Sequence, residues 1–361
     1  MTTKRYLPPS ALNSFLEGLP QAVSISTIGK SVKGLPISLL TIGNGKTKIL
    51  MWSQMHGNES TTTRALLDFI PWFLKATQKH LQKTFTLSVI LQLNPDGAKA
   101  YTRLNANGVD LNRDAIDLTQ PESVVLQELY QEINPDYCLN LHGQRTIFSA
   151  GKMGKTASLS FLAPSADLER SITPSRKKAM HLIVALKRAL EKELPEQVGR
   201  YDDAFNPNCV GDKFTQMGTP TILFEAGHVP EDYQREITRK YIFESYKTLL
   251  YTLFSNDFEY TTNEYFDIPE NAKDYVDLIV SGVTIKSNDE SFVEQELAIQ
   301  YEERLEKNEV IFVPVMQFFA SQAPVKAHKK IRIPNGLKNK EISFEKGKII
   351  QKDVFERFSS I

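Results

Sequence analysis

Four short apolar runs set the fold class of this 361-residue chain: residues 49–52 (ILMW), 86–93 (TLSVILQL), 137–141 (YCLNL) and 220–224 (PTILF). Each is too short for a helix and is bounded by polar residues, so each reads as a buried strand. The stretches between them have helical character. One starts at Ser60 (STTTRALLDFIPWFLKATQKH) as a capped helix, one covers 123–132, and a long amphipathic one covers about 174–194. The last places Ala179, Leu182, Ile183, Leu186 and Leu190 on one face. Strands alternating with helices imply an α/β protein with a doubly wound mixed, largely parallel sheet and helices on both faces. Ahead of this pattern, Gly34 and Pro36 punctuate residues 28–36 as a hairpin, with its second strand over 37–42.

Each of the four runs stops at a polar cluster: His56 with Glu59, Asn94 to Asp96, His142, and Glu225. Parallel neighbours would bring these clusters to one edge of the sheet, where open α/β sheets build their sites. In the segment Met55-His56-Gly57-Asn58-Glu59, an imidazole and a carboxylate stand three residues apart. That pair suits a divalent metal with nitrogen and oxygen ligands, and zinc with two His and one Glu is a known catalytic set. Taken alone, the spacing serves equally well as a polar turn.

Past residue 254 the character changes. Residues 256–263 are polar and lack helical periodicity, and from about 266 the runs are short and β-rich (276–280, 283–285, 297–300 and 310–315). The expected division is a catalytic unit over 1–255, a linker over 256–265 and a β-rich accessory unit over 266–361. Forty-three basic residues balance 43 acidic ones, so no global field draws the chain to nucleic acid or an anionic membrane. The tail from Val325 carries ten Lys/Arg against four Asp/Glu; with sparse aromatic interleaving it reads as a solvated basic surface. The amino terminus lacks the apolar core of an export signal, and no run is long enough to span a membrane, which gives a cytoplasmic expectation. Cys138 and Cys209 are then expected to be free thiols.

In order along the chain, IGKSVKGLPISLLTIGNG, HGNE, NPDGAKAYTRLNANGVDLNRD, LNLHG and TILFEAG resemble the zinc carboxypeptidase family, the funnelin metallopeptidases, over roughly residues 22 to 250. The resemblance implies one zinc ion held by His56, Glu59 and His142, with water in the fourth position. It implies Glu225 as general base and acid, Arg103 as the group polarising the scissile carbonyl, and Asn112 with Arg113 as the grip on a substrate carboxylate. Tyr201, 24 residues before Glu225, is the nearest candidate for the family's mobile tyrosine. An ordinary packed tyrosine would look the same.

The implied activity is metallocarboxypeptidase hydrolysis of an amide next to a free carboxylate, on peptides that include γ- or D-linked ones. Deacylation of N-acyl amino acids, as in aspartoacylase and succinylglutamate desuccinylase, is the alternative. Asn58 and Asp114 depart from the digestive members, which have arginine and asparagine there. HGNE is closer to the intracellular branch. Asp212 lies near the segment that forms the family's side-chain pocket, where a carboxylate would favour basic residues. A non-catalytic protein on a degraded hydrolase fold would have lost a ligand or the base, and all four are present. The β-rich unit has no counterpart in the digestive enzymes, and a role in binding a partner protein is open.

Overall fold

The computed structural model describes residues 4–256, 259–287, 290–319, 325–332 and 350, with backbone alone at 283–287, 290–295 and 318–319. Before residue 230 lie β1 (Ser24–Lys30), β2 (Pro36–Ile42), β3 (Thr47–Ser53), β4 (Phe85–Ile90), β5 (Tyr137–Gly143), β6 (Ser149–Ala150), β7 (Leu159–Leu162), β8 (Val198–Arg200) and β9 (Thr221–Ala226). All but β6 join in one sheet, in the order β1-β2-β4-β3-β5-β9-β7-β8. The centre, β4-β3-β5-β9, is parallel, while β1, β2 and β7 add antiparallel flanks.

The helices are α1 (Pro9–Glu17), α2 (Thr61–Phe73), α3 (Lys79–Thr84), α4 (Pro95–Ala100), α5 (Pro121–Ile133), α6 (Pro174–Leu190), α7 (Val210–Gln216), α8 (Glu236–Ser255) and α9 (Thr262–Phe266). Alternation along β3 shows how both sheet faces are covered. Ile49 and Met51 enter one cluster with Leu66, Phe69, Ile183, Leu186, Ile242 and Tyr246 from α2, α6 and α8. Leu50 and Trp52 enter the other, with Leu126, Leu129 and Tyr130 of α5 and Phe214 of α7. Trp52 is fully buried and meets Phe214 edge-on at 5.5 Å. Burying each such side chain contributes about 1.5–3 kcal/mol.

Several elements differ from expectation for local reasons. The helix after Ser60 stops at Phe73, two residues beyond Pro71, which lacks the N–H that would bond the Leu67 carbonyl. The chain continues through a 3₁₀ turn, Ala76–Gln78, into α3. Ser60 stands at the N-cap position but does not cap; its hydroxyl donates to the Arg5 carbonyl instead. The strands β7 and β8 have no counterpart in the sequence reading. Within the 256–265 stretch expected to link the two units, α9 forms, and its Tyr265 is buried in the core under α6 and α8.

The C-terminal region adds β10 (Asn271–Ala272), paired with β6, and a separate sheet of β11 (Tyr275–Ser287), β12 (Glu290–Glu306), β13 (Glu309–Phe319) and β14 (Lys326–Arg332) in the order β13-β12-β11-β14. The fold class is therefore α/β with a β-rich C-terminal region. Lys307 and Asn308, with φ of 48° and 64°, close the β12–β13 hairpin in the left-handed conformation of a two-residue turn. No described helix is long and apolar enough to cross a membrane. Both cysteines are free thiols. Most of the basic tail lies outside the described residues.

Candidate active site

The turn after β3 is shaped by a close approach that only glycine allows. A Cβ at Gly57 would lie 1.9 Å from the carbonyl carbon of Gly97 in α4. Pressed against α4, the turn closes with the Glu59 N–H donating to the His56 carbonyl at 3.1 Å. It sets His56 Nδ1 3.0 Å from Glu59 Oε1. β5 runs parallel beside β3 with Ser53 opposite Leu141, so the next residue, His142, arrives at the same edge. His142 Nδ1 lies 3.1 Å from His56 Nδ1 and 3.0 Å from Glu59 Oε2. The three residues are buried, and one ligand atom from each lies within 4.8 Å of the others.

These separations fit a metal. Zinc–nitrogen bonds of about 2.0–2.1 Å in tetrahedral geometry put neighbouring ligand atoms about 3.3 Å apart. The tautomer fits as well. His56 Nε2 donates to Asp110 Oδ1 at 2.9 Å, which turns the Nδ1 lone pair toward the cluster. Two imidazole nitrogens and a carboxylate facing one point are what a divalent cation would satisfy. His142 Nε2 is buried and has no protein partner among the described residues.

The charges are tightly linked. Burial would lower the His56 pKa, but the Glu59 charge and the Asp110 hydrogen bond outweigh it and raise it. Burial would raise Glu59, but the two histidines hold it well below the usual carboxylate range. For Asp110, burial is likewise outweighed by His56, Arg103 and the Asn112 N–H, and its pKa is lowered.

β9 runs parallel to β5 with Glu225 opposite His142, which places a second carboxylate at the rim. Half-buried Glu225 has its pKa raised well above the ordinary value by burial and then by the Glu59 charge. Tyr201 lies in the same field. Burial and then the charges of Glu225 and Glu59 raise its pKa, and its ring stands edge-on to Phe148 at 5.3 Å.

Arg103 is exposed and reaches the cluster. Its Nε and Nη2 donate to Asp110 Oδ2 at 3.1 and 3.0 Å, and its Nη1 is 3.5 Å from Glu59 Oε1. Asn112 and Arg113 sit in the 3₁₀ turn Leu111–Arg113, directly after Asp110. Asn112 Oδ1 accepts from the Val210 N–H at 3.0 Å, so its amide protons are what it can offer a ligand. Arg113 is exposed, with Nη1 3.1 Å from Cys209 Sγ. Of the four polar clusters at strand ends, the one at Asn94 is used structurally: Asn94 caps α4 and Asp96 accepts from the Lys33 N–H.

Two polar residues beside this edge complete the geometry. Asp212, near the start of α7, is 7% exposed, and burial pushes its pKa up to about 7. Asn140, two residues before His142 on β5, is 1% exposed, and neither of its side-chain polar atoms has a partner among the described residues. Its Nδ2 is 3.8 Å from where a Cβ on Gly211 would sit, which places it beside the first turn of α7. Sequence reasoning missed Asp110 and Asn140. Asp110 looks like the start of a turn, and indeed its side chain also accepts from the Asn112 N–H. Asn140 alternates with His142 along a strand, a period-2 signal that points both to one face.

Residues 10–200 match the family model described as zinc carboxypeptidase. The carboxypeptidase SOL1 of Arabidopsis thaliana is 28% identical over 154 residues, which is 37% of this chain and 31% of that protein. The γ-D-glutamyl-L-diamino acid endopeptidase 1 of Lysinibacillus sphaericus is 26% identical over 196 residues, 38% of this chain and 48% of its own. The matches thus span less than half of the length of these curated relatives, 31% and 48%. Among solved structures, a metallo-carboxypeptidase from Burkholderia cenocepacia superposes with a TM-score of 0.56 at 19% identity, covering 70% of this chain and 71% of that one. That likeness is one of fold.

Proposed function

The chain belongs to the zinc carboxypeptidase family, and from that premise we propose that it is a metallocarboxypeptidase that hydrolyses an amide bond adjacent to a free carboxylate. The observation that carries the reading is the convergence of His56 Nδ1, His142 Nδ1 and the Glu59 carboxylate at 3.0–3.1 Å, with Glu225 in register beside them. His56, Glu59 and His142 would hold one zinc ion. When bound, zinc supplies a Lewis acid that polarises a carbonyl and lowers the pKa of a coordinated water.

The protein's own groups do the rest. Glu225 takes a proton from the attacking water and gives it to the departing nitrogen, a role that a carboxylate with a raised pKa suits. Arg103, oriented by its two bonds to Asp110, sets a guanidinium where negative charge develops on the former carbonyl oxygen. Arg113, with the Asn112 amide, holds the substrate carboxylate. Tyr201, close enough to Glu225 to feel its charge, would stand beside the substrate.

Asp212 and Asn140 line the space for the substrate side chain, so a terminal residue with a cationic side chain is the favoured class. A buried carboxyl with a pKa near 7 gains most from a cationic partner. The Lysinibacillus relative is named for a diamino acid substrate with a γ-D-glutamyl link, and the same linkage is included in this proposal.

The test compares amino-acid release by the zinc-loaded protein from peptides ending in lysine, from a γ-D-glutamyl-diamino acid peptide, and from short N-acyl amino acids. Release from either peptide class supports the peptidase. Turnover of N-acyl amino acids alone would move the deacylase to first place.

A further inference from the structure

One carboxylate of the C-terminal sheet gathers three segments behind the ligand cluster. The Glu303 side chain, on β12, is 6% exposed, and its Oε1 lies 2.5 Å from Arg5 Nη2. Its Oε2 accepts from the Tyr101 hydroxyl at 2.5 Å and lies 3.2 Å from Arg145 Nη1. The Arg145 guanidinium stands over the Tyr101 ring, 5.5 Å from its centroid.

Each partner adjoins a segment that carries a site residue. The Arg5 carbonyl accepts from the hydroxyl of Ser60, the residue after Glu59. Tyr101 precedes Thr102, whose carbonyl accepts at 3.1 Å from the N–H of Asn58, between His56 and Glu59. Arg103 follows directly. Arg145 stands three residues beyond His142. Tyr101 itself has φ of 58°, a left-handed conformation uncommon for a non-glycine residue, which its surroundings must hold in place.

Resting on the hydrolase reading above, we propose that Glu303 is a positioning residue: through Arg5, Tyr101 and Arg145 it fixes the segments that carry Glu59, Arg103 and His142. The C-terminal sheet is then part of the catalytic unit. A buried carboxylate between two guanidiniums adds little net stability, because desolvation offsets attraction. Its use lies in geometry, since it balances the charge of the buried Arg5 guanidinium and holds all three segments to one point. Glu309, at the foot of the same hairpin, differs. It pairs with Lys4 at the surface, where the two side chains are 62% and 63% exposed.

The test uses the full chain, loaded with zinc, as wild type, Glu303→Gln and Glu309→Gln. Two readouts are taken. Backbone hydrogen exchange is followed without substrate in segments 54–60, 100–104 and 143–148, with α6 as internal reference, and kcat and KM are measured separately. A positioning role predicts that Glu303→Gln speeds exchange about tenfold or more in the three segments and leaves α6 unchanged. It also predicts a fall in kcat of about tenfold or more with KM within about threefold. Glu309→Gln should match wild type in both. If Glu303→Gln does not fold, Tyr101→Phe removes one bond to the same carboxylate, and the same two readouts decide. Lowered thermal stability with unchanged exchange in the three segments and unchanged kcat overturns the proposal and leaves Glu303 as a structural contact. If wild type cleaves no peptide, the hydrolase reading fails, while the exchange result still decides whether Glu303 orders these segments.

Discussion

Replacing Asp110 with asparagine changes one polar atom and forces a choice between His56 and Arg103. Asp110 Oδ1 accepts from His56 Nε2 and from the Asn112 N–H, and Oδ2 accepts twice from Arg103. An asparagine has one oxygen and one NH₂ in those places. With the oxygen toward His56, the NH₂ meets the guanidinium and Arg103 is released. With the oxygen toward Arg103, the NH₂ faces His56, the ring must move its proton to Nδ1, and the lone pair facing the cluster is lost. The first arrangement keeps two part-buried bonds and gives up two exposed ones, so it should prevail. Even so, if His56 holds the metal as proposed, exchanging a carboxylate for an amide behind it should weaken metal affinity about 10- to 100-fold, or about 1.4–2.8 kcal/mol. Loss of the Arg103 anchor should add a fall in kcat of about tenfold or more. Zinc affinity is measured by competition with a chromophoric chelator, and kcat on the best substrate at saturating zinc. Zinc affinity and kcat both within twofold of wild type would refute the reasoning about Asp110.

If Asp212 reads a cationic side chain, kcat/KM for lysine-terminated peptides should rise with pH as its carboxyl ionises around pH 7. Asp212→Asn should remove that rise and cut the preference for lysine over leucine about 10- to 100-fold. The same shift makes a stability statement. A carboxyl whose folded pKa is raised to about 7 contributes stability at low pH that is lost as pH climbs from about 4 through 7. Urea denaturation should show wild type losing at most about 4 kcal/mol relative to Asp212→Asn across that window. Gly57→Ala drives a methyl group into the α4 backbone, where the Cβ would be 1.9 Å from Gly97. It should cost about 3 kcal/mol or more in thermal or urea unfolding and lower zinc affinity; a protein of wild-type stability would show that the turn has room to shift.

The sequence announced the sheet because its central strands are buried on both faces and so read as unbroken apolar runs, 49–52 and 137–141 among them. The short strands β7 and β8 escaped because four and three residues give no period to detect. In the C-terminal sheet, β11 looked like two runs because Ser281 and Gly282 interrupt it; the register shifts there, and Gly282 has φ of 77°. The far half of β12, Tyr301 to Glu306, is mostly charged and hid its strand character.

His56, Glu59 and His142 were legible because two lie in one turn and the third ends a neighbouring strand. The Asn94 cluster stands at an equivalent strand end, yet it caps a helix. Position alone did not tell a candidate metal ligand from a helix cap. Asp110 and Glu303 were hidden for a different reason. Their partners lie 54 and 202 residues away in His56 and Tyr101, and only the folded chain brings them together.

The central claim, a metal-dependent release of C-terminal residues with Glu225 as proton carrier, meets its most direct test in one comparison. Wild type and Glu225→Gln, each shown to bind one zinc per chain, are given the same mixed library of peptides with free carboxyl ends, γ- and D-linked members included. The account predicts single-residue release by wild type and a loss of about 10²–10⁴-fold in the variant, with zinc retained. Equal release by both would contradict the role of Glu225, and no release by a zinc-loaded wild type would contradict the peptidase itself.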